Sequence, residues 1–111
     1  MAILAQVLPV PPGKTKDLEA HLAEALEHPE LSETLRGFGI TRETWHLQET
    51  PQGDLLVLVF DCDDPPAMLK EYSESDKAVP TWQRKCIKEI LGIDLSEPPP
   101  GPPSKLLFDW P

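Results

Sequence analysis

The stretch TRETWHLQETPQGDLLVLVFD, residues 41–61, has the pattern of a β-hairpin. Two extended segments flank the turn sequence TPQGD, and the second of them, residues 55–60, is apolar at six consecutive positions. A strand with one face in water alternates between apolar and polar residues, and this strand does not. Both faces of the sheet that contains it are therefore predicted to be covered.

The turn sets the register of the predicted hairpin. Pro51 suits the second position of a type I turn and Gly53 the left-handed position after it, which predicts a three-residue loop with Thr50 opposite Asp54. In this register four polar residues share a face with three apolar ones: Arg42, Thr44, His46 and Gln48 with Leu56, Leu58 and Phe60. The other face carries Trp45 and Leu47 with Leu55, Val57 and Val59. A one-residue shift, as in a two-residue Gln-Gly turn, exchanges these partners.

Amphipathic helices are predicted before and after the hairpin. The apolar stripe of the first consists of Leu18, Leu22, Ala25 and Leu26. A short helix follows and ends at Gly37 or Gly39, and the acidic run before two prolines predicts a further helix that is capped by Asp63 or Asp64. The last helix ends at Gly92. Its apolar stripe consists of Val79, Trp82, Cys86 and Ile90, with Ile87 and Leu91 at its edge.

The order of these elements predicts one α+β domain over residues 1–111. A strand over residues 2–10 opens the chain, and a proline-rich spacer, residues 96–103, leads to a last strand over residues 104–110. Strand, helix, strand, strand, helix, strand is the split βαβ order of ferredoxin-like folds with an antiparallel sheet. Helices cover one face of such a sheet. The other face would be a large apolar patch, which predicts an isologous homodimer in which a second copy covers it.

Three motifs resemble the dimeric α+β barrel superfamily, which includes the antibiotic-biosynthesis monooxygenases. They are WHLQETPQGD (residues 45–54), the DDPP that follows, and PTWQRK with the later GIDL, and they are most similar to small uncharacterised bacterial members. The resemblance implies a dimeric barrel built from two ferredoxin-like sheets. It also implies a function among those of the relatives, which include cofactor-free oxygenases of polycyclic phenols, polyketide cyclases, haem-degrading enzymes and muconolactone-type isomerases.

Composition argues against several kinds of partner. The chain has 19 acidic and 10 basic residues and a net charge of −9, which disfavours nucleic acid and anionic membrane surfaces. No apolar run approaches the roughly 20 residues of a membrane-spanning helix, and the first residues lack the basic region of a signal peptide, so a cytoplasmic location is expected. Cys62 and Cys86 are predicted to be reduced, buried thiols. No cofactor or metal is expected, because no phosphate loop or metal-ligand spacing occurs.

His46 is the predicted catalytic residue, because an imidazole in a mainly apolar cavity can accept the proton of an acidic phenol. Arg42 is expected to hold the developing anion. The remaining predicted substrate contacts are Tyr72, Trp82, Gln48 and Phe60. The alternatives are a hydrogen-bonded His46 in the sheet or dimer interface, a Trp82 that belongs to the core, and an Arg42 that pairs with a nearby acid, Asp61 or Asp63.

Two functions remain open at this point. The first is a cofactor-independent oxygenase, cyclase or isomerase that acts on a small aromatic or polyketide-like molecule. The second is a non-catalytic homodimer that binds a small molecule or has an accessory role. A dry cavity with converging polar groups would favour the first, and a cavity filled by leucine side chains would favour the second.

Overall fold

The computed structural model of the chain describes residues 2–97 and 104–111. Within these residues the chain forms an α+β structure with an antiparallel sheet, as predicted. Its three strands and four helices follow in the order β1 (Ala2–Pro9), α1 (Thr15–Leu26), α2 (Leu31–Gly37), β2 (Ile40–Thr50), β3 (Gly53–Cys62), α3 (Pro65–Glu74) and α4 (Ala78–Leu91). Most of the predicted proline-rich spacer, residues 98–103, lies outside the described residues.

The sheet has the strand order β1-β3-β2, and both pairings are antiparallel. The apolar run of the opening stretch therefore lies in the central strand, with a partner on each side. Burial alternates along this strand, since Leu56, Leu58 and Phe60 are buried whereas the residues between them are half-buried. One face of the sheet is thus covered much more completely than the other.

The helices pack on the face that contains Leu56, Leu58 and Phe60, and this face is called the helix face below. Leu18 of α1, Met68 of α3 and the α4 residues Ile87 and Leu91 join these three side chains in one apolar core. Burial of such side chains supplies most of the free energy that opposes the loss of chain entropy. The core therefore lies between the sheet and the helices.

The structure confirms the predicted helix ends that depend on a capping side chain or on a glycine. The Asp64 carboxylate accepts a hydrogen bond of 3.2 Å from the N–H of Ala67, and two prolines occupy the first turn of α3. Gly92 ends α4 with a left-handed backbone, at φ 72°. Gly39, at φ 79°, follows the end of α2 in the same conformation. Both positions favour glycine because a Cβ is strained at such angles.

The predicted register of the hairpin is wrong by one residue. The loop has two residues, Pro51 and Gln52, and Thr50 lies opposite Gly53 instead of Asp54. The Thr50 side chain explains the shorter loop, because its hydroxyl donates to the Gly53 carbonyl at 2.6 Å and accepts from the Gln52 N–H at 3.2 Å. His46 consequently lies opposite Val57. The polar residues of β2 therefore share a face with Val57 and Val59, and not with Leu56 and Leu58 as predicted.

The buried sides of two helices also differ from the predicted stripes. In α1 the side chain of His21 is buried, while that of Leu26 is 80% exposed. In α4 the buried residues are Val79, Pro80, Gln83, Ile87 and Leu91. The predicted stripe residues Trp82, Cys86 and Ile90 are half-buried beside them. Relative to the prediction, each helix is therefore rotated about its own axis. As a result His21 of α1 and Gln83 of α4 are buried where an apolar side chain was expected.

The face opposite the helix face is called the open face, because no described helix covers it. Its apolar residues are Ile3, Ala5 and Val7 of β1 and Leu55, Val57 and Val59 of β3. Ile3 is 46% and Val7 57% exposed. The sequence predicted that the helices would leave an apolar face, but with Trp45 and Leu47 of β2 on it. The observed register puts polar β2 residues such as Arg42 and His46 there instead.

Residues 104–111 form neither helix nor strand and are exposed. The strand predicted over residues 104–110 is therefore absent from the described sheet, which consists of β1, β3 and β2. Among the described helices, none combines the length and the apolar character that crossing a membrane requires.

Candidate functional site

The exchange of faces divides the six predicted site residues. Arg42, His46 and Gln48 lie on the open face, opposite Asp61, Val57 and Leu55. Phe60 is buried on the helix face, and Tyr72 packs against the same core from α3. Trp82 lies on α4, with its ring 4.7 Å from that of His21 and 5.7 Å from that of His28. The structure therefore does not bring His46 and Arg42 together with Tyr72.

Of the open-face group only Arg42 lines a depression, which is shallow rather than deep. His46 is exposed, and its Nε2 lies 3.0 Å from the Thr44 hydroxyl. A cavity of about 140 Å³ lies beside it, lined by Ile3, Arg42, Thr44, Val59 and Asp61. The Asp61 Oδ1 atom is buried and has no hydrogen-bond partner among the described residues. Arg42 and Asp61 are neighbours across the strands, but they form no ion pair in the described part of the chain.

A second group of polar side chains lies on the helix face, and its central member is Glu43. The indole N–H of Trp45 donates to the Glu43 carboxylate at 2.6 Å. Glu43 lies opposite Phe60 and Trp45 opposite Leu58, so both point toward the core. Burial raises the pKa of the Glu43 carboxyl, and the hydrogen bond from Trp45 offsets only part of that rise. The Glu43 carboxylate therefore binds a proton more strongly than an exposed carboxylate does.

Tyr72 faces Glu43 from α3. Burial raises the pKa of the Tyr72 hydroxyl far above its usual range, and repulsion by the Glu43 carboxylate adds to the rise. The Phe38 ring meets the Tyr72 ring edge-on, with centroids 5.9 Å apart. Glu43, Trp45 and Tyr72 are each half-buried, so each side chain keeps some exposed surface.

Arg84 holds this arrangement in place from α4. Its guanidinium donates to the carbonyls of Tyr72 and Ser75, each at 2.7 Å, and so binds the C-terminal end of α3. Its Cζ atom also lies 6.0 Å from the centre of the Tyr72 ring, within the range of a cation–π contact. The five residues Phe38, Glu43, Trp45, Tyr72 and Arg84 are called the Glu43 cluster below.

Sequence reasoning included Tyr72 but missed the rest of the Glu43 cluster as site residues. The predicted register put Arg42 and His46 on the same sheet face as Leu56 and Leu58. Glu43, one residue from Arg42, then fell on the opposite face of the sheet. A usable signal was the spacing of Glu43 and Trp45, since residues two apart share one face of a strand. An acid beside an indole N–H on the same face is a ready hydrogen-bonded pair.

The cysteines and the acidic side chains offer no other reactive centre. Cys62 and Cys86 are free thiols, and burial raises the pKa of both. They are therefore protonated at neutral pH, as the prediction of inert thiols requires. Across residues 2–97 and 104–111, no three His, Cys, Asp or Glu side chains come together in a way that could hold a metal ion.

Comparison of the chain with protein-family models, curated proteins and solved structures finds no match. The fold and the Glu43 cluster therefore have to be interpreted from their own geometry.

His21 is expected to make the protein less stable below about pH 6.5. Its side chain is 5% exposed, and its Nε2 has no hydrogen-bond partner among the described residues. Burial lowers its pKa from 6.5, and the opposing attraction of Glu24 is smaller. The unfolded chain then binds more protons than the folded one between the lowered pKa and 6.5, so the free energy of unfolding falls as the pH falls through that range.

Chemical denaturation at several pH values, compared between the wild type and His21→Phe, measures this effect. The difference between the two proteins should lose its pH dependence above pH 6.5 and change by at most about 1.4 kcal/mol per pH unit below it. Glu43, whose pKa is raised, contributes the opposite slope in both proteins and cancels in the difference. Identical pH profiles for wild type and His21→Phe would contradict the buried neutral histidine.

Proposed function

We propose that this protein is a homodimeric, cofactor-independent enzyme of the oxygenase, cyclase or isomerase kind. Its substrate is a small aromatic or polyketide-like molecule, and its location is the cytoplasm. The observation that carries the proposal is the Glu43 cluster: a carboxyl group with a raised pKa, half-buried among aromatic rings between the sheet and the helices. Perturbed acids in a partly dry setting are typical of sites where protons are transferred.

The chemistry follows from the roles that these side chains can take. Glu43 accepts the acidic O–H or activated C–H proton of the substrate, since a carboxyl group with a raised pKa is a stronger base than an exposed one. Trp45 holds the carboxyl group through its N–H and fixes its orientation. Tyr72 stays a neutral phenol, so it can donate a hydrogen bond to the anion that forms. The positive charge of Arg84, next to Tyr72, stabilises that anion.

The aromatic members of the cluster favour a planar substrate. The rings of Trp45 and Tyr72 lie near the carboxyl group, and the buried Phe38 ring backs that of Tyr72. A planar ring gains both area burial and aromatic contact on such a surface. This replaces the predicted role of His46 as the base, because His46 lies on the open face with the Thr44 hydroxyl as its hydrogen-bond partner.

The homodimer is part of the same proposal, and the open face supports it. Six apolar side chains of β1 and β3 line this face, two of them exposed and four half-buried in the single chain, and a two-fold axis would pack two such faces together. The strand order β1-β3-β2 also supports a dimeric α+β barrel, because a ferredoxin-like sheet has this order with a fourth strand next to β1. In such a dimer Arg42 and His46 lie at the subunit interface.

A second candidate function is a non-catalytic homodimer that binds a small molecule. It is favoured by the position of two surface cavities, neither of which contains Glu43. One is the depression of about 140 Å³ on the open face. The other, of about 260 Å³, is lined by Glu30, Glu33, Thr34, Lys77, Ala78 and Val79.

Glu43→Gln distinguishes the two functions. With naphthols and anthrones as probes, we expect the wild type to consume oxygen or to convert the probe, and the variant to be slower by about a hundredfold or more, as for loss of a general base. Glutamine keeps an oxygen that accepts the Trp45 N–H, so the melting temperature should not fall. Oxygen uptake and absorbance follow turnover, and fluorescence quenching of tryptophan follows binding.

Glu49→Gln is the matched control, since it makes the same change at an exposed position of the same strand. It should leave turnover unchanged. Equal turnover by the wild type and Glu43→Gln would refute Glu43 as the base. Binding of a probe without turnover by the wild type would favour the second candidate function.

A further inference from the structure

We propose that residues 104–111 form an arm that packs on the second copy of the chain rather than on its own. Four large apolar side chains of this segment are exposed: Leu106 at 57%, Leu107 at 85%, Phe108 at 83% and Trp110 at 80%. So much apolar surface in eight residues is rare on a folded chain unless it meets a partner. The inference rests on the homodimer proposed above and adds a second contact to it.

The position of the arm places it next to the open face. The hydroxyl of Ser104 donates to the carbonyl of Ala5, which belongs to the outer strand β1. Among the described strands β1 pairs only with β3, so its other side is an edge of the sheet. The arm therefore begins at the rim of the sheet, where Ile3 and Val7 are already half-exposed.

The sequence of the arm is that of an extended segment with one apolar side. Side chains alternate in direction along an extended chain, so Leu106, Phe108 and Trp110 share one side. Lys105 and Asp109 lie on the other side, together with Leu107. Such a segment can place its three apolar side chains on an apolar sheet face and keep its charges in water.

The second copy is the occupant that fits these observations. The arm side chains stay exposed although the arm starts beside its own open face, so its own chain does not cover them. Two open faces that pack about a two-fold axis bring the β1 edge of each subunit close to its partner. Each arm then reaches the partner over a short distance, and the same contact forms twice.

Sedimentation of arm variants tests the proposal. The double variant Phe108→Asp with Trp110→Asp should raise the dimer dissociation constant by at least about tenfold, because each subunit loses two aromatic contacts. Lys105→Asp with Leu107→Asp, on the other side of the arm, is the matched control and should change it by less than about threefold. A wild-type protein that is monomeric would refute the proposed homodimer and the arm together. A dimeric wild type with no weakening in the aromatic double variant would overturn the arm alone.

A photo-crosslinking benzophenone side chain at position 108 separates the two possible partners of the arm. Irradiation of the full chain should give a covalent dimer on a denaturing gel, and peptide mapping should locate the link on strand residues of the other copy. A link within one chain, or the absence of a covalent dimer, would overturn the proposal. The same label at position 52, in the hairpin loop, is the control and should give no covalent dimer.

Discussion

Val57→Asp is expected to convert the proposed homodimer into a monomer. Val57 lies in the central strand, opposite Val7 on one side and His46 on the other, and therefore near the middle of the open face. A carboxylate there would have to lose its hydration when the two faces pack together, which costs several kcal/mol. The two-fold axis places two such charges in one interface, so the dissociation constant should rise by at least about a hundredfold.

Light scattering at micromolar concentration measures the mass directly. Val57→Lys should act in the same direction, because the cost comes from burying a charge and not from its sign. Gln52→Asp adds the same charge in the exposed hairpin loop and should leave the dimer intact. Circular dichroism should show that the monomeric variants are folded, since Val57 lies outside the core between sheet and helices. A Val57→Asp protein that stays dimeric would show that the open face is not the interface.

Leu56→Ala is expected to lower the free energy of unfolding by about 2–5 kcal/mol. Leu56 is 2% exposed and lies in the central strand, where helices on one side and strands on both flanks prevent the cavity from collapsing. The total stability of a domain of this size is roughly 5–15 kcal/mol. The melting temperature should therefore fall on the order of 10–30 °C.

Leu47→Ala is the matched control for this prediction. Leu47 lies directly opposite Leu56 in the hairpin, and it is 38% exposed. The same chemical change there should cost about 1–2 kcal/mol, because less apolar surface is removed from the interior. Chemical denaturation of both variants gives the two values. A larger loss for Leu47→Ala than for Leu56→Ala would contradict the observed burial of the hairpin.

The order of elements and most helix ends were predictable because they depend on neighbours in the chain. The hairpin, the first strand and the helix that begins after Asp64 follow from local patterns, and Gly92 ends α4 as expected. Proline, glycine and capping side chains act within a few residues, so their effect can be read without knowing the fold. The apolar run of residues 55–60 likewise predicted a strand, and β3 contains it.

The candidate site was not predictable from the same patterns. A side chain in a strand changes faces when the register moves by one residue, and the Thr50 hydroxyl favours the two-residue loop that moves it. That shift turns His46 and Arg42 toward the open face and places Glu43 between the sheet and the helices. The chemistry proposed for this protein therefore depends on three hydrogen-bonding atoms in a turn.

Composition and local pattern were enough to establish an α+β chain whose sheet has one bare apolar face. They could not establish which polar side chains the core would enclose, because that depends on contacts between residues far apart in the chain. His21, Gln83 and Glu43 are all drawn inside by the packing of helices on the sheet. The free energy gained by burying the neighbouring apolar side chains exceeds the cost of burying one polar side chain among them. That comparison depends on the packed structure, so local sequence patterns do not predict it.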